Sequence, residues 1–110
     1  MKITKDKKFI LIKPVDASLE LFLKNVENEY HNFKGEHLIL DFSEIINTKI
    51  EELLLFLNIS STHKENGTSF VIICTGINID EIPDELNIVP TFKEALDILE
   101  MDAIERELGF

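Results

Sequence analysis

Two apolar rhythms alternate along this chain, one of strands and one of helices. Residues 8–13 hold Phe9, Ile10, Leu11 and Ile12 in an unbroken run that Pro14 closes, which predicts a strand. A short edge strand is expected before it over residues 1–5, with a turn at Asp6 and Lys7. From Leu19 the spacing changes. Leu19, Phe22, Leu23, Val26, Tyr30 and Phe33 recur at helical intervals, with Leu21 off the stripe, and predict one amphipathic helix. Asp16 or Ser18 can cap it, and Gly35 stops it. HLILDF, residues 37–42, is apolar without alternation and predicts a strand covered on both faces. A turn over 43–47 follows. TKIEELLLFL then has apolar residues at 50, 53, 54 and 57, predicting a helix from about 48 to 64 that Asn66 and Gly67 end.

That helix has an apolar sector wider than one sheet face requires. Either neighbouring elements flank it, or part of it is an exposed contact surface. Residues 68–75 predict another doubly buried strand around SFVIIC, and 76–84 a loop, with one helical turn expected between 80 and 86. Residues 87–89 form a brief strand. Thr91 and Glu94 have capping-box spacing for a last helix running to about Leu108, with Phe92, Ala95, Leu96, Leu99, Ala103 and Ile104 inward and Gly109 as its stop. The order β-β-α-β-α-β-(α)-β-α predicts an α/β fold: one domain over 1–110, with a mixed sheet of four to five strands and helices packed on it. The carboxyl end of strand 37–42 and the amino end of the helix after it meet at residues 41–48. In open α/β sheets such junctions hold ligands and modifications.

Composition narrows the function. The 110 residues are 45% hydrophobic, enough for one core, and no apolar run approaches the roughly 18 residues of a membrane span. The apolar run near the amino terminus is too short for a secretory signal, and one cysteine fits a reducing compartment, so a cytoplasmic location is expected. With 21 acidic against 11 basic residues, the formal charge of −10 repels phosphate backbones and disfavours direct nucleic-acid binding. Cys74 lies in the apolar run FVIIC and is expected to pack in the core as a small hydrophobe.

Catalytic and metal signals are sparse. His31, His37 and His63 have no ligand spacing between them, and HxH, HxxxH and CxxC are absent, so neither a metal nor a cofactor is expected. With 4 glycines and no GxGxxG or GxxxxGK[ST], a phosphate-cradling loop is not foreseen. Asp41, Ser43 and Glu44 are polar at the strand's end. Carboxylates there can do acid/base work, or the group can satisfy a turn. Thr48 and Glu51 have the spacing of a T-x-x-E capping box. The same hydroxyl, at a helix start beside Glu51 and Glu52, is also a candidate phosphorylation site.

Two stretches resemble the STAS domain family, which includes the bacterial anti-sigma factor antagonists. HLILDFSEI resembles the family's central strand and turn, and NIVPTFKEAL its last strand and closing helix. The family's switch motif, an Asp-Ser-Ser-Gly type of turn, falls here on Asn47, Thr48, Lys49 and Ile50. Thr48 takes the phosphorylatable position, Asn47 replaces the acid, and Lys49 and Ile50 replace the second hydroxyl residue and the glycine. The resemblance implies a non-catalytic regulatory domain. It would dock a protein partner, an anti-sigma factor-like kinase or another regulator, through Asp41, Ser43, Asn47, Thr48, Lys49, Glu51, Glu52 and the loop at Gly76, without membrane, metal or nucleic acid. Two other readings stand beside it: a small-ligand or nucleotide-binding module using the same crevice, and a small hydrolase using Asp41 or Glu44.

Overall fold

Five short strands pair in the order in which the chain makes them. The computed structural model describes residues 1–15, 18–45 and 47–109. β1 (Lys2–Lys5) runs antiparallel to β2 (Ile10–Lys13). β3 (Leu38–Asp41), β4 (Phe70–Ile73) and β5 (Asn87–Val89) continue the sheet in parallel, in the order β1-β2-β3-β4-β5. This is the mixed five-stranded sheet expected from the pattern.

Sequential parallel strands joined by right-handed crossovers place their connections on one face. That face carries α1 (Leu19–Asn28), α2 (Tyr30–Phe33), α3 (Ile50–Leu54), α4 (Leu57–Glu65) and a single 3-10 turn, Ile79–Glu81. Alternate strand residues such as Ile12, Leu40 and Ile72 point into it and meet Phe22, Phe42 and Phe56. The opposite strand residues, Ile39, Val71 and Ile73, meet one helix only, α5 (Phe92–Glu107), through Ala95 and Leu99. Covering on both faces is why LIL and FVII in β3 and β4 show no polar alternation: all of these residues are buried.

The helices depart from the expected boundaries in two places, and α5 departs in which residues it buries. The stripe from Leu19 to Phe33 belongs to two helices, because Glu29 leaves helical geometry (φ −106°, ψ 11°). Its N–H is shared between the Asn25 and Val26 carbonyls, both at 3.2 Å. The break lets Tyr30 reach His63 while Phe33 stays in the core. Ser18 supplies the first helix's cap, its Oγ accepting the Leu21 N–H at 3.2 Å; Asp16, the other candidate, lies outside the described residues.

The helix expected over 48–64 also divides. Phe56 N–H bonds the Leu53 carbonyl in a tightened turn, and the Phe56 ring is fully buried against Phe42 (5.4 Å between centroids) and Phe22 (6.1 Å). Leu53 and Phe56 are thus core, whereas Leu54 and Leu55 face outward. In α5, Ile104 has inward spacing but is 56% exposed, because the helix turns that flank away from the sheet. Phe92 and Ala103 are exposed as well.

One polar residue is built into the first face. His63 is fully buried, with Nε2 2.6 Å from the Glu36 carbonyl and Nδ1 2.7 Å from the Tyr30 hydroxyl. A carbonyl only accepts, so Nε2 carries the proton and Nδ1 accepts from Tyr30. Burial holds the His63 pKa below its ordinary value; the bond to the Glu36 carbonyl opposes this, and the nearby His37 adds to it.

Replacing Phe56 with Ala should cost about 3–5 kcal/mol, measured by urea unfolding, because it empties the centre of the aromatic cluster. Stability should be complete above about pH 6.5, the value for a histidine in the unfolded chain, and should be lost as pH falls from there through the depressed folded-state value. His63→Gln should flatten part of that slope in denaturation curves taken across this range. The remainder should belong to His37, whose pKa burial also lowers.

Candidate functional site

β3 delivers its last residues to the carboxyl edge of the sheet, where a series of local bonds shapes the turn into α3. Phe42 N–H bonds the Ile73 carbonyl at 2.8 Å, and its ring is buried edge-on to Phe22 at 5.7 Å. The strand end is therefore fixed by its neighbour strand below and an aromatic contact above. Asp41 Oδ1 accepts the Ser43 N–H at 2.9 Å, an Asp-initiated turn. Asp41 Oδ2 lies 3.7 Å from Lys13 Nζ, which also stands 3.6 Å from Glu44. One carboxylate oxygen thus holds the turn while the other faces an ammonium. Glu44 is a surface group, and its ion pair contributes little.

The chain then reverses at Asn47, whose φ of 60° is the one positive value at a non-glycine among the described residues. Asn tolerates this left-handed conformation better than most side chains. Thr48 comes next, and here the structure corrects the capping assignment. The helix cap is Lys49, in extended conformation (φ −96°, ψ 151°), and Glu52 Oε1 accepts the Lys49 N–H at 2.9 Å. The pair sits one residue later than the expected Thr48–Glu51 box, because the Asn47 turn delays entry into the helix. A lysine ammonium cannot accept a bond, so only the Glu52 half of a capping box forms.

The Thr48 hydroxyl is consequently free of capping. Its oxygen is buried and has no hydrogen-bond partner among the described residues except, in effect, the Cys74 sulfur, a weak acceptor at best. It faces Cys74 just beyond β4. The Cys74 thiol is buried, as expected, and burial raises its pKa, with the Thr48 hydroxyl pulling in the other direction. A thiol held protonated is a poor nucleophile. This contact sets the 47–52 segment beside the loop that starts after Cys74 and turns at Gly76 (φ 75°).

The structure thus gathers Thr48 and the Cys74–Gly76 segment on one side of the edge, and Asp41 with Ser43 on the other. Ser43, Asn47, Lys49, Glu51 and Gly76 are exposed; Glu52 is partly so. Two participants carried no local signal. Lys13 reaches Asp41 because the β2–β3 register ends with Ile12 opposite Leu40. Leu54 and Leu55 are 38% and 39% exposed beside Glu51, in a run that reads as core. No cluster of three or more His, Cys, Asp or Glu suited to a metal occurs among the described residues.

No protein-family model matches the chain, and no curated protein does. A solved structure does: a serine-to-glutamate variant of RsbS from Moorella thermoacetica, a STAS-domain anti-sigma factor antagonist. It superposes with a TM-score of 0.62 over 93% of this chain and 96% of that one, at 17% sequence identity. The chain therefore has a STAS-like α/β fold, as the resemblance implied.

Thr48→Val should leave the fold intact and raise its stability by about 1 kcal/mol in thermal or urea unfolding, since the variant keeps the side chain's shape and removes an oxygen that is buried without a partner. An alanine there should not give this gain, because it leaves space against Cys74.

Proposed function

We propose that this chain is a non-catalytic regulatory domain that docks a protein partner through the turn and helix start at 47–52, with Asp41, Ser43 and Gly76 at the rim. The observation that carries this reading is the neighbouring pair Leu54 and Leu55. They stand part-exposed on α3, next to the exposed acid Glu51. Apolar side chains beside fixed charges on a short helix suit a protein interface, whose centre is apolar and whose rim is polar. The fold likeness to RsbS supports the same reading, in which the partner is an anti-sigma factor-like kinase or a related regulator.

Several features favour docking over catalysis at this edge. Asp41 is engaged by a backbone N–H and by Lys13, so both of its oxygens already have partners. Cys74 is buried with a raised pKa. Glu44, the other carboxylate considered, lies in solvent beside Lys13.

Thr48 is the switch in this reading. A phosphoryl group cannot occupy the place of an oxygen already out of contact with water. Its addition requires the 47–49 turn to open, and about −1.5 to −2 of charge next to Glu51 and Glu52 then keeps the turn from closing. Modification would therefore change the shape of the docking surface as well as its charge.

Co-purification of the chain from its native cell, read by mass spectrometry, should return a specific protein partner. Leu55→Asp should remove that partner while leaving the unfolding curve within about 0.5 kcal/mol of the parent. Thr48→Glu should weaken it, and the peptide containing Thr48 should be found with the mass of one phosphate. Retained binding in Leu55→Asp would overturn the proposed surface, and retained binding in Thr48→Glu would overturn the switch.

A further inference from the structure

A cavity lies at the other end of the strands and on the other face of the sheet. It is open to solvent and holds about 860 Å³ between α5 and the turn that joins β1 to β2. Phe9 and Phe92 pack edge-to-face against each other at one wall, with centroids 5.6 Å apart, and Leu96, Leu99 and Ala103 continue the apolar lining along α5. It exists because α5 packs chiefly over β4 and β5 and covers the β2 end of that face less closely. The volume is that of a small-molecule site, with an apolar wall on α5 and charged residues around the rest of the lining.

His37 provides the polar feature. Its Nδ1 accepts the backbone N–H of Ser69, a fully buried residue, at 2.9 Å. In the neutral ring the proton therefore sits on Nε2, a donor with no acceptor among the described residues. The remaining polar lining is mixed in sign: Lys7 and Lys8 against Asp6, Glu36 and Glu100, with Asp6 already bonded to the Lys8 N–H at 3.1 Å. On α5 behind His37, Arg106 and Asp102 both bond the Ser69 hydroxyl. A ligand of either charge meets opposing groups and loses its hydration without a matched partner. A neutral carbonyl costs less to desolvate than an ion, and one hydrogen bond offsets that cost.

We propose that this cavity binds a small uncharged amphiphile, its alkyl or aryl body against the Phe9–Phe92 pair and Leu96 and its carbonyl oxygen on the Nε2–H of His37. The site is independent of the docking edge, which lies past the opposite ends of the strands.

Titration of the full chain with octanamide, octanoate and octylammonium, followed in amide ¹H–¹⁵N NMR spectra, tests this. Octanamide should move the amide signals of Phe9, His37, Phe92 and Leu96 and leave those of 47–52 in place. The two ions should bind at least about tenfold more weakly. His37→Ala should weaken octanamide by about three- to tenfold, the worth of one neutral hydrogen bond. Ala103→Trp, which fills the cavity from an exposed helix position, should abolish the shifts while the spectrum stays dispersed. Absence of shifts at millimolar octanamide, equal binding of all three probes, or unchanged binding in Ala103→Trp would overturn the proposal.

Discussion

Burying β3 on both faces and along both edges is the constraint on which the rest of this molecule depends. Leu38, Ile39 and Leu40 are fully buried, two of them toward one helical layer and one toward the other. Each such residue contributes about 1.5–3 kcal/mol when removed from water. That gain is available only if β2 and β4 take its edges and helices take its faces. Sequential pairing with right-handed crossovers meets the requirement, and it puts four short helices on one side and leaves a single long one for the other. The unequal covering then has a geometric consequence. One face is closed by an aromatic core, while the other stays open beside β2.

The closed face and the candidate docking edge are mechanically linked. Phe42 is at once the residue that ends β3, a bonding partner of β4 and a member of the aromatic trio with Phe22 and Phe56. Phe56 belongs to the segment after the 43–49 turn. The turn is therefore pinned at both ends by the same cluster, with little length between. Within it, Asn47 adopts a left-handed conformation and Thr48 holds an unsatisfied hydroxyl against Cys74. Strained backbone and unpaired polar atoms tend to collect where a protein does its work. Here they occupy the stretch that the STAS resemblance singles out.

The two ends of the strands are specialised differently. The carboxyl end presents backbone turns, exposed leucines and acids, which suit a macromolecular surface. The amino end holds the histidine networks: His63 with Tyr30 and Glu36, and His37 with Ser69. Both rings have pKa values lowered chiefly by burial, so both are neutral donor–acceptor groups and not charges. One is closed into the core. The other leaves a donor without a partner among the described residues, beside a cavity of apolar and charged lining.

Local sequence determined the strands, their apolar faces and most helix ends, since alternation, continuous apolar runs, Ser18, Thr91 and the glycines act over a few residues. It also pointed to the 41–52 junction and to a core position for Cys74. It could not determine where helices break, because the breaks at Glu29 and Phe56 satisfy Tyr30, His63, Phe42 and Phe22, partners distant in sequence. The same holds for Thr48: a T-x-x-E pattern reads as a cap, but the left-handed turn at Asn47 and the packing of Cys74 bury its hydroxyl and hand the cap to Lys49. Nor could periodicity tell which apolar residues stay outside. Leu54, Leu55, Phe92 and Ile104 are as hydrophobic as their buried neighbours, and only the area of sheet each helix covers decides which of them meet water.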